Sequence, residues 1–136
     1  MSEIPKQIIV IRSDLRNTKG EKIRTGKLIS QCCHASLGTI LNYGGYTNEN
    51  EYIIRIHNDA ILDWLNGIYT KVVVQVSDEK SLLDIHQKCI DNNINVKLIT
   101  DLGLTEFGGI PTNTCLGIGP DYPSKLDPLF RHLPLL

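Results

Sequence analysis

A lysine, a glutamine and a histidine share one face of a predicted helix near the start of the chain. Lys27, Gln31 and His34 stand at positions i, i+4 and i+7, so a helix of about 3.6 residues per turn brings them onto one narrow face. Thr25 is predicted as the N-cap. A lysine beside the free N–H groups of a helix N-terminus attracts anions. The pattern therefore indicates anion binding, and a solvated helix face without chemistry is the alternative.

An acidic residue follows a predicted buried strand in the second half of the chain. The strand covers 96–100, and Asp101 comes directly after it, with Thr105 four residues later. Ligands of α/β sheets bind at the carboxyl ends of the strands. Asp14, which follows the first predicted strand, and Lys27 are therefore expected at the same rim as Asp101. The alternative is a turn in which Asp101 accepts hydrogen bonds from its own backbone.

The elements that must position these residues alternate between strands and helices, which predicts a three-layer α/β/α sandwich. They are a strand at 6–13, helices at 26–43 and 59–65, a strand at 71–76, a helix at 81–92, and strands at 96–100 and 114–119. The β-branched run 71–76 is predicted as a central strand, and 114–119 as an edge strand. Segment 46–56 is predicted to be irregular, and the tail from Pro120 to wrap the surface.

The other side of the first helix is apolar and is predicted to pack on the sheet. Its residues are Leu28, Ile29, Cys32, Ala35, Thr39 and Ile40. Lys27, Gln31 and His34 are accordingly expected to point away from the core.

Length and composition indicate a single domain spanning residues 1–136. Hydrophobic residues make up 41% of the chain and charged residues 21%, and no stretch approaches the roughly 20 apolar residues of a membrane span. The N-terminus has no secretory segment, so we expect a cytoplasmic protein that binds no membrane. The four cysteines and four histidines lack the spacing of a metal site or a disulfide framework, and the cysteines are predicted to be buried thiols.

Positive charge is concentrated at the start of the chain. Residues 1–31 contain seven Lys or Arg against three acids, whereas the whole chain has a net charge of −1. A local basic patch indicates a phosphate-bearing ligand, and charges scattered around a loop are the alternative. Gly26-Lys27 does not complete a nucleotide-binding phosphate loop, because five residues separate Gly20 from Gly26 and Leu28 replaces the hydroxyl residue.

Several stretches together resemble the type-2 peptidyl-tRNA hydrolase family of archaea and eukaryotes. The matching stretches are Ile9-Val10-Ile11-Arg12-Ser13-Asp14-Leu15, then Gly26-Lys27-x-x-x-Gln31-Cys32-x-His34-Ala35, Ile99-Thr100-Asp101-x-Gly103-x-Thr105 and Pro111-Thr112-x-Thr114-Cys115-Leu116-Gly117-Ile118-Gly119-Pro120. Their order and spacing extend over almost the whole chain. The resemblance implies one α/β domain with a mixed four-stranded sheet. It also implies hydrolysis of the ester that joins a peptide to tRNA, without a metal or cofactor.

The resemblance also implies which residues form the active site. Lys27, Gln31, Asp101 and Thr105 fall on family active-site positions, and His34 falls on a signature position of the first helix. Ester hydrolysis needs an oriented water and a stabilised oxyanion. Asp101 could orient Lys27 or accept a proton from the water, and Lys27 could neutralise the developing negative charge. Gln31 and Thr105 would place the carbonyl group.

Substrate binding is expected to rest mainly on contacts with tRNA phosphates. By the resemblance, Lys19, Lys22 and Arg24 would contact these phosphates, and we include His34 and Asp14 among the substrate-binding residues. The resemblance leaves a homodimer possible.

Several features depart from the family pattern, among them the longer segment 44–58 and Phe130-Arg131 in place of Thr-Gly. The loop 17–25 is longer than the compact basic turn of the family, Leu104 stands where Lys or Arg is usual, and Glu106 where Gln is usual. The two substitutions reduce positive charge beside the site. They favour the alternative function, a catalytically inactive module that binds an RNA end or a protein on the same fold. A hydrolase of small esters is a second alternative.

Overall fold

A mixed four-stranded sheet lies at the centre of the fold, with helices packed on both faces. The computed structural model describes residues 3–136. Its elements are β1 (Lys6–Arg12), α1 (Thr25–Leu41), β2 (Gly44–Tyr46), β3 (Tyr52–Ile54), α2 (Asp59–Asn66), β4 (Lys71–Val76), α3 (Glu79–Asp91), β5 (Val96–Asp101), β6 (Thr112–Asp121) and α4 (Pro123–Phe130). The α/β fold with a mixed sheet, expected from the sequence, is confirmed.

The strand order is β4-β1-β6-β5. β1 pairs in parallel with β4 and antiparallel with β6, which pairs antiparallel with β5. As a result β5 runs parallel to β1, and both strands end at the same rim of the sheet. That rim carries Asp101.

Two predictions about strand position were wrong. β6 is central and β4 lies at an edge. β4 is rich in β-branched residues because core side chains cover both of its faces, and face burial does not reveal whether a strand has two partners. The free side of β4 is covered by the end of the chain: the Gln75 N–H donates to the Pro134 carbonyl at 3.0 Å, and the Leu136 N–H to the Val73 carbonyl at 3.1 Å.

The core is divided between the two faces of the sheet. One cluster joins β-strand residues to Leu82 and Ile85 of α3 and to Phe130 of α4. The second lies under α1 and includes Ala35, with Leu28 packed against it.

The first helix differs from its predicted arrangement in three respects. Gln31 is fully buried, whereas Ile29 is 58% exposed, so the helix is rotated relative to the expected faces. Thr25 is the first helical residue and Arg24 is the N-cap, without a side-chain cap. The polar partner that stabilises a buried Gln31 lies far away in the sequence, and periodicity alone therefore assigns this residue to the wrong face.

Two further elements were missed in the sequence. The segment predicted as irregular contains the hairpin of β2 and β3, and the tail contains α4, which begins with a proline at its first helical position, as is common. The prediction of four buried thiols was wrong for Cys33, which is exposed, and Cys32 is only partly buried. Among residues 3–136, no helix combines the length and apolarity needed to cross a bilayer.

Gly117 allows α1 to lie directly on β6. A Cβ added at this position would come within 3 Å of the Ala35 backbone and the Thr39 side chain. We expect Gly117→Ala to destabilise the protein by about 2–3 kcal/mol, because α1 must shift away from the sheet. Urea unfolding measures this change, with Gly45→Ala as the control, since a Cβ there meets nothing within 4 Å. Equal effects of the two substitutions would contradict the prediction.

Candidate active site

Lys27 and Asp101 form an ion pair at the rim of the sheet. Lys27 lies in the first turn of α1 and Asp101 is the last residue of β5. The Lys27 Nζ lies 2.9 Å from Asp101 Oδ1. Their side chains keep 10% and 15% of their surface exposed, so the pair is shielded but reachable from solvent. The helix and the strand thus join two groups that are 74 residues apart in sequence.

Asp101 is held by donors on both carboxylate oxygens. The Gly103 N–H donates to Oδ2 at 2.9 Å, and the Gln31 Nε2 donates to Oδ1 at 3.2 Å. Gly103 has a φ of +79°, a conformation that favours glycine. Burial raises the pKa of Asp101, but the hydrogen bonds from Lys27, Gly103 and Gln31 and the Lys27 charge outweigh it and lower the pKa below 3.8. The carboxylate is therefore ionised at neutral pH.

Gln31 is fixed by a residue that sequence reasoning did not assign to the site. Thr114 on β6 is buried, and its hydroxyl donates to Gln31 Oε1 at 2.6 Å. This bond directs the Gln31 amide N–H group towards Asp101. The available signal was a threonine directly before the apolar run 115–118, at a matching position of the resemblance.

Thr114→Val is expected to loosen this arrangement, because the buried Gln31 carbonyl loses its hydroxyl donor. We expect a loss of about 1–3 kcal/mol of unfolding free energy and a lower kcat, since the Gln31 amide is free to rotate away from Asp101. Denaturant unfolding and steady-state kinetics measure the two effects. Thr114→Ser retains the hydroxyl and is expected to remain close to the unsubstituted protein in both. A valine variant with normal kcat would rule out this role.

Thr105 completes the cluster beside an open cavity. The Lys27 Nζ donates to Thr105 Oγ1 at 3.1 Å. The cavity has a volume of about 370 Å³, and His34 of α1 lies at its wall, exposed to solvent. The structure thus brings together Lys27, Gln31, Asp101 and Thr105 and places His34 beside them.

This arrangement suits chemistry in which negative charge develops on a substrate oxygen. A partly shielded ammonium stabilises such charge strongly, because little water screens it. The carboxylate can hold a water molecule or orient the ammonium. Within residues 3–136, no group of three or more His, Cys, Asp or Glu side chains is arranged to hold a metal ion.

Residues 5–136 match the family model described as "Peptidyl-tRNA hydrolase PTH2". The chain belongs to this family. Similar proteins include the peptidyl-tRNA hydrolase of Methanopyrus kandleri, 35% identical over 131 residues, which cover 96% of this chain and 97% of that protein. The peptidyl-tRNA hydrolase of Methanothermobacter thermautotrophicus is 36% identical, covering 96% and 99%. A probable peptidyl-tRNA hydrolase 2 of Dictyostelium discoideum is 30% identical, covering 96% of this chain and 54% of that protein.

Other predicted binding residues of this PTH2 family member lie outside the Lys27 cluster. Asp14 forms a two-point ion pair with Arg12, with both N–O distances at 2.9 Å. Lys19 and Lys22 are exposed on the loop that precedes α1, and neither forms an ion pair within residues 3–136. These two lysines are therefore available to an anionic ligand.

Arg24 is held by Glu106, the residue that follows Thr105. Its guanidinium pairs with Glu106, and its backbone N–H donates to the same carboxylate at 3.2 Å. The hydrogen bond from the Arg24 side chain lowers the pKa of Glu106. The contact joins the basic loop to the loop that carries Thr105.

A larger cavity of about 660 Å³ lies beside α1, away from the Lys27 cluster. It is lined mainly by apolar side chains, among them Ile9, Val73 and Trp64, and Lys71 is the charged side chain in its wall. Its titratable side chains are Cys32, Cys33, Tyr69 and Lys71, and no carboxylate side chain lines it to pair with the lysine. Size alone therefore does not make it the candidate active site.

Proposed function

We propose that the chain hydrolyses the ester bond of peptidyl-tRNA, giving a free peptide carboxylate and a tRNA with a free 3′ hydroxyl. The observation that carries the proposal is the Lys27–Asp101 pair, 2.9 Å apart, beside an open cavity. The family match and the names of the relatives support the same substrate. Recycling of tRNA would take place in the cytoplasm, where translation occurs.

In the proposed reaction a water attacks the ester carbonyl, and the carbonyl oxygen gains negative charge. The Lys27 ammonium stabilises this oxyanion, and the Thr105 hydroxyl supplies a neighbouring hydrogen-bonding group. Gln31 is fully buried and acts through its hydrogen bond to Asp101. The tetrahedral intermediate then collapses with cleavage of the bond to the ribose 3′ oxygen, which takes up a proton from the attacking water and leaves as a hydroxyl. Asp101 has a lowered pKa and is therefore a weak base. We propose that Asp101 orients the water and the Lys27 ammonium.

The direct test is release of peptide from N-acetyl-aminoacyl-tRNA by the purified protein, with EDTA present. We expect turnover under these conditions, because the ammonium supplies the positive charge that a metal ion would otherwise provide. No release with or without added Mg²⁺ would favour the inactive binding module. Equal turnover of a free aminoacyl ester would favour a small-ester hydrolase.

We expect the lysines of the basic loop to bind tRNA phosphates. In Lys19→Ala and Lys22→Ala variants, the logarithm of kcat/KM should fall less steeply with the logarithm of salt concentration, by about 0.7–0.9 for each lost contact. Kinetics between low and moderate salt measure the slope. Lys80→Ala on α3 removes an exposed lysine that pairs with Asp84 and should leave the slope unchanged. Unchanged slopes in the loop variants would contradict phosphate binding by this loop.

A further inference from the structure

One edge strand of the sheet, β4, is covered by other backbone, whereas the other edge strand, β5, is largely open. The free side of β4 is covered by residues 134–136, which bond to the strand through their backbone. β5 forms the opposite edge and pairs with β6 alone. Among the described residues, its outer side receives one hydrogen bond from outside the sheet: the Asn42 Nδ2 donates to the Val96 carbonyl at 3.0 Å.

The directions of the backbone groups show where β5 remains unpaired. The Asn95 carbonyl faces β6, where it accepts the Gly119 N–H at 2.9 Å, and the Val96 carbonyl faces outwards. Backbone groups of an antiparallel strand alternate between its two sides. The N–H and carbonyl of Leu98 therefore face outwards, and no hydrogen bond within residues 3–136 occupies them on that side.

The open part of this edge leads directly into the candidate active site. Asp101 follows Leu98 by three residues, a distance of about 10 Å along a strand. Thr100 and His34 both line the cavity that contains Lys27 and Asp101. The cavity and the open edge are therefore continuous, and a chain in the cavity can lie beside β5.

We propose that the peptide part of peptidyl-tRNA binds as an extended strand along the open edge of β5, with its ester carbonyl at Lys27 and Asp101. This inference rests on the proposed function. Because the ester is at the C-terminus of the peptide and at the C-terminal end of β5, the added strand runs parallel to β5. Backbone hydrogen bonds recognise a strand whatever its side chains, which suits a substrate whose peptide sequence varies.

The length of the open edge limits how much of the peptide is recognised. Asn42 occupies the Val96 carbonyl, so the open edge covers only Lys97–Asp101. About three or four peptide residues fit beside this stretch. Lys97 is exposed at the edge, and a charge there disfavours pairing between the β5 strands of two copies.

The test is a scan of peptidyl-tRNA substrates in which one amide of a five-residue peptide is N-methylated at a time. N-methylation removes a donor, so we expect kcat/KM to fall about tenfold at every second residue near the ester, with small effects at the residues between. The amide farthest from the ester should be insensitive. Uniform kcat/KM across the scan, with hydrolysis intact, would overturn the β5 proposal and leave the hydrolase proposal standing.

A second measurement does not depend on turnover. The ligand is the same peptide joined to 3′-amino-adenosine through an amide that cannot be hydrolysed as an ester. We expect hydrogen exchange of the Leu98 amide to slow at saturating ligand, while the Lys97 amide, which faces β6, does not change. A Leu98 amide that exchanges equally fast with and without the ligand would overturn the proposal. If the Leu98 amide were already protected in the free protein, and this protection increased with protein concentration, the β5 edges of two copies would pair with each other. That result would also overturn the proposal.

Discussion

Lys27→Met is expected to lower kcat/KM for peptidyl-tRNA by about 10²–10³-fold, the effect of removing one oxyanion donor from a preorganised site. Methionine retains an unbranched apolar stem next to Phe107, whose ring centroid lies 5.6 Å from the Lys27 Nζ, but it removes the charge. Single-turnover release of peptide separates this loss from any change in binding. Wild-type activity in the folded variant would contradict a role for the ammonium.

The same variant should change the pH dependence of the residual activity. In the wild type the pKa of Asp101 lies below 3.8 because hydrogen bonds and the charge of Lys27 outweigh burial. Its ionised form stabilises the folded protein above pH 3.8, and this contribution is lost as pH falls through the lowered pKa. Without Lys27 the effect of burial remains, so the acid limb of kcat/KM should move to higher pH. If the acid limb of the kcat/KM profile stayed at the same pH in the variant, the charge of Lys27 would not be a cause of the lowered pKa of Asp101.

Asp101→Asn is expected to reduce kcat/KM by a similar factor, about 10²–10³-fold. The substitution preserves size but removes the negative charge that holds Lys27. The side-chain oxygen can still accept the Gly103 N–H, and the new amide N–H group then faces the ammonium, which is also a donor. Steady-state kinetics on peptidyl-tRNA measure the effect, with circular dichroism to verify folding.

A matched control for this variant lies elsewhere in the chain. Lys6 and Asp127 form an ion pair at 2.7 Å with side-chain exposures of 18% and 29%, outside the Lys27 cavity. Asp127→Asn should affect stability without a large change in kcat/KM. If both Asn variants lost activity to the same degree, the loss would reflect general destabilisation and not the chemistry at Asp101.

The proximity of Lys27 and Asp101 in the candidate site could be predicted from the sequence, because each residue lies at the end of a regular element. Lys27 lies at the start of a helix and Asp101 at the end of a strand, and both features are local in sequence. Their meeting follows from the rule that such ends gather at one rim of the sheet. The burial of Gln31 could not be predicted in this way, because it depends on Thr114, a residue 83 positions away.

The strand order could not be predicted from the sequence for a related reason. The β-branched composition of β4 shows only that both of its faces are covered. Its free edge is paired with residues 134–136, and these residues have no strand-like sequence pattern that would predict the pairing. The contact between Arg24 and Glu106 was equally hidden, since it joins two loops that are 82 residues apart. Interactions between distant segments thus account for most of the differences between prediction and structure.

The most direct test of the role of the ion pair is a double-mutant cycle of Lys27→Met and Asp101→Asn, measured on peptidyl-tRNA hydrolysis. If the two residues act as one unit, the double variant should be within about threefold of the slower single variant, because the first loss already disables the pair. Additive losses, in which the double variant falls by the product of the two single effects, would contradict the claim that the ion pair carries the reaction.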